Sequence, residues 1–202
     1  MKSTIITIAA ALLAAPLYAQ GFGDIGAGQR TLGDQSSAGG ELQLGVGYRV
    51  NPYLMIGGYG SGGIHATGDL TSGGNIYTAT AGVQANLHFL PSETWDPWIG
   101  LGSGWRALWI DRSGGAGTDS RHGIDLARLT AGVDYRVNSQ FAVSPYVGAG
   151  LTTFLTQELA GQQNFANVHS PDVNVWLFGG IQGRFDLLGS SSSSSMRVAS
   201  AN

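Results

Sequence analysis

The sequence predicts an all-β fold, an eight-stranded antiparallel up-and-down transmembrane β-barrel. Three observations predict it. Apolar and polar residues alternate with period two over runs of about 10–16 residues, against roughly 5–6 in ordinary globular strands. The connections between these runs alternate between short and long. Aromatic residues gather near the run ends.

Composition narrows the alternatives. The chain has 202 residues, 33 glycines and no cysteine, and 11% of it is charged. Ordinary soluble domains carry roughly a quarter charged residues. Mean hydropathy is only +0.05. The lack of cysteine excludes a disulfide scaffold and a cysteine-ligated zinc or iron–sulfur site. A net charge of -3 supplies no basic footprint, so nucleic acid is not an expected partner.

Residues 1–19, MKSTIITIAAALLAAPLYA, read as a secretory signal peptide. Lys2 gives the positive start, an apolar stretch follows, Pro16 breaks it, and Ala19 is the small residue before cleavage. The apolar stretch is too short to span about 30 Å of hydrocarbon. Residues 20–187 read as the barrel and 188–202 as a flexible serine-rich tail in the periplasm.

The eight strands fall at about 22–30, 41–50, 53–66, 75–90, 97–110, 122–137, 141–156 and 172–187. The first is glycine-rich, with only Ile25 and Ala27 on an apolar face; seven strands would leave the chain ends on opposite sides of the membrane. In the second, Leu42, Leu44, Val46, Tyr48 and Val50 oppose Glu41, Gln43 and Arg49. The third has two competing phases, Tyr53, Met55 and Tyr59 against Leu54, Ile56 and Ile64. The fourth sets Tyr77, Val83, Leu87 and Phe89 against Thr78, Gln84 and His88. The fifth sets Ile99, Leu101, Trp105, Ala107 and Trp109 against Gly100, Gly102, Gly104 and Arg106. In the sixth, Leu129, Val133 and Tyr135 oppose Arg128, Asp134 and Arg136. The seventh sets Val143, Val147 and Leu151 against Ser144, Tyr146, Gly148 and Gly150. The eighth sets Val175, Leu177, Ile181 and Phe185 against Gln182, Arg184 and Asp186. In lipid every backbone polar group needs a partner, so only helices and closed barrels span, and no helical run is present.

Short turns are expected at 51–52, 91–96 and 138–140, and long loops at 31–39, 67–74, 111–121 and 157–170. Tyr48, Phe89, Trp98, Trp109, Tyr135, Phe141 and Phe185 form the expected aromatic girdles, with Phe154 also near the long loops.

These patterns resemble the small eight-stranded outer-membrane barrels of the OmpA/OmpX type and the opacity-protein, porin-like group. The resemblance rests on Gly57-Gly58-Tyr59-Gly60, on residues 131–136 (AGVDYR) before a tight turn, and on residues 179–185 (GGIQGRF). It implies a location in the bacterial outer membrane, after export. It also implies contact with outer-membrane lipid and lipopolysaccharide, and a monomer.

An eight-stranded lumen is just wide enough for side chains to fill it. Glu41, Arg49, Arg106, Arg128, Asp134, Arg136, Arg184 and Asp186 face it on the expected register. Opposite charges there should pair, because an isolated buried charge is costly. The inward glycines should leave room for the arginines. The expected product is a plug of paired charges; the alternative is a narrow passive solute channel.

The chain carries no expected catalytic residue, cofactor or metal ligand. His122 and His169 lie in or beside long loops with Asp111, Asp119, Asp125 and Ser170 near in sequence. Their spacing matches no metal pattern. His169-Ser170-Pro171 lacks the asparagine of the His-x-Ser-Asn motif that a lipid A deacylase would carry. The expected role is structural or surface interaction, with an extracellular ligand reached through loops 111–121 and 157–170. A lipid-modifying barrel enzyme and a soluble secreted all-β protein are the remaining alternatives.

Overall fold

The computed structural model describes residues 20–32, 35–67, 75–111, 117–160, 166–168 and 172–186, with side chains from residue 39 onward except 66 and 67. The expected signal peptide and tail lie outside the described residues.

Eight long strands form one antiparallel wall. They are β1 (Gln20–Leu32), β2 (Gln35–Arg49), β3 (Leu54–Thr67), β4 (Asn75–His88), β5 (Trp95–Asp111), β6 (Thr118–Arg136), β7 (Phe141–Glu158) and β9 (Val173–Asp186). A two-residue strand, β8 (Ala166–Asn167), lies between β7 and β9 in sequence and pairs with Thr156 and Gln157. Each long strand pairs with its sequence neighbours among the long strands, and β1 also pairs with β9, from Gln20 opposite Asp186 to Arg30 opposite Trp176. The ring is therefore closed, which removes every long free edge.

Both described ends of the wall, Gln20 and Asp186, lie at the end that carries the short turns. Two of those turns use one device. Asn51 Oδ1 accepts from the backbone N–H groups of Tyr53 and Leu54, each at 2.9 Å. Asn138 Oδ1 accepts from those of Gln140 at 2.8 Å and Phe141 at 2.9 Å. Asparagine favours such turns because its side chain can mimic a backbone carbonyl.

At the opposite end the strands run further than the sequence suggests. Residues 31–32 and 35–39, expected as loop, are paired strand, and so are Asp111 and 118–121. Gln157 and Glu158 also belong to β7. Polar and glycine side chains blur alternation, but ladder hydrogen bonds come from the backbone and do not need it. Gly117, at φ 96°, adopts the left-handed backbone that glycine tolerates, one residue before β6 starts.

The outer face is apolar. Leu44, Leu129, Val147, Leu177 and Ile181 are each about 60% exposed or more, from 59% to 66%. In β3, Ile56 and Ile64 are exposed while Met55, Tyr59 and His65 are buried, which fixes the phase that the sequence leaves open.

One irregularity changes what faces inward. The ladders of β6 shift register between Asp125 and Ala127 against β7, and between Gly102 and Gly104 on β5. Below the shift Arg128 and Asp134 are buried; above it Asp125 is buried while Ile124 and Leu126 are exposed. One extra residue in a strand reverses which parity faces the core. Ser103 Oγ donates to the Asp125 carbonyl at 2.8 Å and fastens the bulge.

Candidate functional site

The interior is stacked in layers, and the inward residues of β5 meet them in order. From the short-turn end these are Asp96, Trp98, Gly100, Gly102, Arg106 and Leu108.

The first layer is a buried ionic cluster. His88 Nδ1 lies 2.9 Å from Asp96 Oδ2 and 3.7 Å from Asp134 Oδ2. Asp96 Oδ1 also accepts from the Leu90 N–H at 3.0 Å. The Arg184 guanidinium pairs with Asp134, and its Nη1 lies 3.2 Å from His88 Nε2. Arg184 Nη1 also lies 3.4 Å from Nδ1, so the guanidinium faces both ring nitrogens, while a ring proton on Nδ1 is the one that Asp96 can accept. His88, Asp96 and Asp134 place three donor atoms within 4.8 Å of one another, a set whose chemistry could hold a metal ion. Arg184 already sets a fixed cation against two of them, which opposes a divalent ion by charge.

Above this cluster, Trp98 Nε1 donates to Ser144 Oγ at 2.9 Å. Trp98 is 4% exposed and faces inward, so it is not a girdle residue. Its parity in β5 matches Gly100 and Gly102, not Ile99 and Leu101. Phe154 likewise packs inward, with Ile76 and Leu108, as an apolar cluster near the long-loop end.

The middle and upper layers combine glycine, an aromatic ring and a guanidinium. A Cβ placed on Gly150 would run into the Trp176 ring, and one on Gly148 into Phe178. One on Gly82 would come within 2.8 Å of Tyr59. The space left by inward glycines is therefore filled first by rings. The arginines lie on those rings: Arg106 is 3.5 Å from the Trp176 centroid. Arg128 is 4.4 Å from Phe178 and 5.0 Å from Tyr59. Arg106 also donates to Asp125 through Nε at 2.8 Å and Nη2 at 3.0 Å. Thr152 donates to the same carboxylate, and Glu41 lies 4.0 Å from Arg106 Nη1.

The eight residues expected to line the lumen do not act alike. Glu41, Arg106, Asp134 and Arg184 enter ion pairs. Arg128 sits on aromatic faces. Arg49 and Arg136 instead reach turn carbonyls, donating to Pro52 O and Pro91 O at 2.6 Å each. None of the ion pairs among the described residues includes Asp186. Sequence reasoning missed Asp96 and Trp176, put Ser144 on the polar face of its strand without its partner Trp98, and gave His88 no charge partner. The parity of β5, carried two residues back from Trp98, would have placed Asp96 inside.

Among the expected girdle residues, Tyr48, Phe89, Tyr135 and Phe185 are exposed on the outer face near the short turns. Tyr135 packs on Trp95 at 4.7 Å, and Phe141 on Phe185 at 4.8 Å. Trp109 lies near the other end, edge-on to His122 at 6.3 Å. His122 also stacks on the exposed Trp105 at 5.4 Å, on the outer side of the wall. Asp125 is buried on the inner side. Two residues that adjacency in sequence might join as base and acid are thus separated by the sheet itself. His169 and Ser170 lie outside the described residues.

Comparisons with known proteins agree with this architecture. Neisserial surface protein A has a solved structure with a TM-score of 0.59 and 15% identity, covering 84% of this chain and 97% of that one. The outer membrane protein OprG of Pseudomonas aeruginosa gives 0.52 and 12%, with the same coverage. At these identities the likeness establishes the fold alone. No curated protein sequence matches this chain. A family model described as "Outer membrane protein beta-barrel domain" matches residues 5–179. With an apolar outer wall, a closed ring and a match over most of its length, this chain belongs to the outer membrane protein beta-barrel family.

Proposed function

We propose that this chain is a non-enzymatic, monomeric surface-interaction protein of the bacterial outer membrane, exported by its first 19 residues and closed by a charge-paired lumen. The observation that carries the reading is the filled interior: Arg106–Asp125, Arg184–Asp134 and His88–Asp96 bridge different strands at two levels. A filled eight-stranded barrel is a rigid post rather than a conduit. Its variable chemistry then lies at the rim, where β5, β6 and β7 are the longest strands, at 17, 19 and 18 residues. The segments between β5 and β6 and between β7 and β9, narrower than the expected loops 111–121 and 157–170, would meet an extracellular ligand; the outer wall would meet lipid and lipopolysaccharide.

Planar-bilayer recording tests the closed lumen. The folded protein is expected to give no discrete conductance steps, and regular steps would establish the passive-channel reading instead. For the rim, cells displaying the protein are compared with cells whose 112–116 and 161–165 segments are replaced by glycine-serine. The replacement should abolish surface attachment while the unheated protein keeps its fast gel mobility. Attachment that survives both replacements would remove the loops from the role.

A further inference from the structure

Between the two ionic layers lies a small polar cavity lined by Gln43, Gln84, Asn86, Arg128, Thr130 and Gln182, with Trp98 and Tyr146 completing it. Its volume is about 10 Å³, room for one water-sized occupant. One cation and four side-chain amides line it, and no carboxylate does.

The cation is unusually placed. Arg128 is 4% exposed, and its Nε and Nη1 meet no hydrogen-bond acceptor. It lies over the faces of Tyr59, Phe178 and, at 5.9 Å, Trp176. In the upper layer Asp125 is held by two nitrogens of Arg106 and by Thr152, while Glu41 lies 4.0 Å from Arg106 and keeps one buried oxygen without a hydrogen-bond partner; neither carboxylate lines the cavity. Aromatic faces offset part of a guanidinium's desolvation, but they accept no directed N–H bond. Buried N–H donors left without an acceptor are costly. Gln43 Oε1 is a buried acceptor without a partner, while the amides of Gln84, Asn86 and Gln182 each offer an NH₂ that can turn toward the same point.

We propose that this cavity is a binding site for one small monatomic anion, with chloride as the natural candidate, held by Arg128 and the amides of Gln84, Asn86 and Gln182. The size is selective. The space is at the lower bound for one water, so a halide needs the flexible glutamines to shift outward, and sulfate and gluconate, larger still, need far more. The site is separate from the rim and does not depend on whether the lumen conducts.

The test uses the folded full chain in detergent. Crystals grown in sodium bromide are measured at the bromine edge, and thermal unfolding is compared in sodium chloride and sodium gluconate at equal ionic strength. The expected result is one anomalous peak against the Arg128 guanidinium and a higher unfolding midpoint in chloride. Arg128→Met should lose both the peak and the chloride–gluconate difference. Gln84→Met keeps the charge and removes one amide, so it should reduce that difference; this variant and the bromide map decide the matter if Arg128→Met does not fold. Bromide found only outside the cavity, or a chloride–gluconate difference unchanged in the variants, would overturn the proposal.

Discussion

The guanidinium of Arg106 lies 3.5 Å from the centroid of Trp176 while two of its nitrogens hold the Asp125 carboxylate. One side chain thus joins β5, β6 and β9 across the lumen. Replacing Arg106 with methionine keeps most of the packing and strands a buried carboxylate. The expected cost is about 3–5 kcal/mol, the usual result of removing one partner of a buried pair. Arg106→Met with Asp125→Asn should recover much of it. Urea titration of the folded band in detergent measures both variants, and a single variant within 1 kcal/mol of the parent would contradict the pairing.

Glycine substitutions should divide by what lies above each Cα. A methyl on Gly123 would collide with the backbone of Thr153 and Phe154, and one on Gly150 with Trp176. Gly60, where the nearest atom would be Thr80 O at 3.7 Å, has ordinary space. Gly123→Ala and Gly150→Ala should each cost about 1–3 kcal/mol, as overpacking does. Gly60→Ala should stay within about 0.5 kcal/mol. Equal urea midpoints for all three would show that the packing has been misread.

Charge on the outer wall should be punished according to depth. Leu129 is 59% exposed and lies mid-strand, so Leu129→Arg should cost about 2–4 kcal/mol in a bilayer. Tyr135→Arg, beside the short turns, should cost only about 0–1 kcal/mol. Folding into phospholipid vesicles is the measurement. A Leu129→Arg protein that folds as well as Tyr135→Arg would argue that the wall is not covered by lipid.

Emptying the upper layers should open the lumen. The double variant Arg106→Ser, Arg128→Ser removes both guanidiniums that lie on interior rings. It should show conductance steps in planar bilayers where the parent shows none, provided that it retains the fast unheated gel band. A folded double variant that stays silent would mean that the rings alone close the barrel.

Particular residues show how much of this the sequence reveals. In β9, Leu177, Ile181 and Phe185 face out while Gln182 and Arg184 face in, as strict alternation requires. Arg106, Asp134 and Arg184 likewise follow from parity. Asp125 does not, because a bulge adds a residue to a ladder without leaving a mark in the alternation of either flank. Trp98 is a different failure. An aromatic residue near a strand end suits both a membrane boundary and a buried donor; the parity it shares with Gly100 and Gly102 points inward, and the Ser144 hydroxyl gives its indole a partner there. Which carboxylate each arginine takes depends on contacts between strands distant in sequence, which periodicity within one strand does not contain.

The seam between β1 and β9 joins opposite ends of the wall, with Gln20 beside Asp186. Until the last strand arrives, the first has one bare ladder, however well the middle of the chain has formed. Completion therefore waits for the most distant pairing in the molecule, a slow kind of step in folding. During that interval an apolar surface meant for lipid is exposed together with an unpaired edge, and such species aggregate readily. A holding chaperone or a membrane surface that shelters β1 would thus govern yield more than any gain in final stability. Moving the chain ends into a different turn should change assembly speed while leaving the finished barrel unchanged.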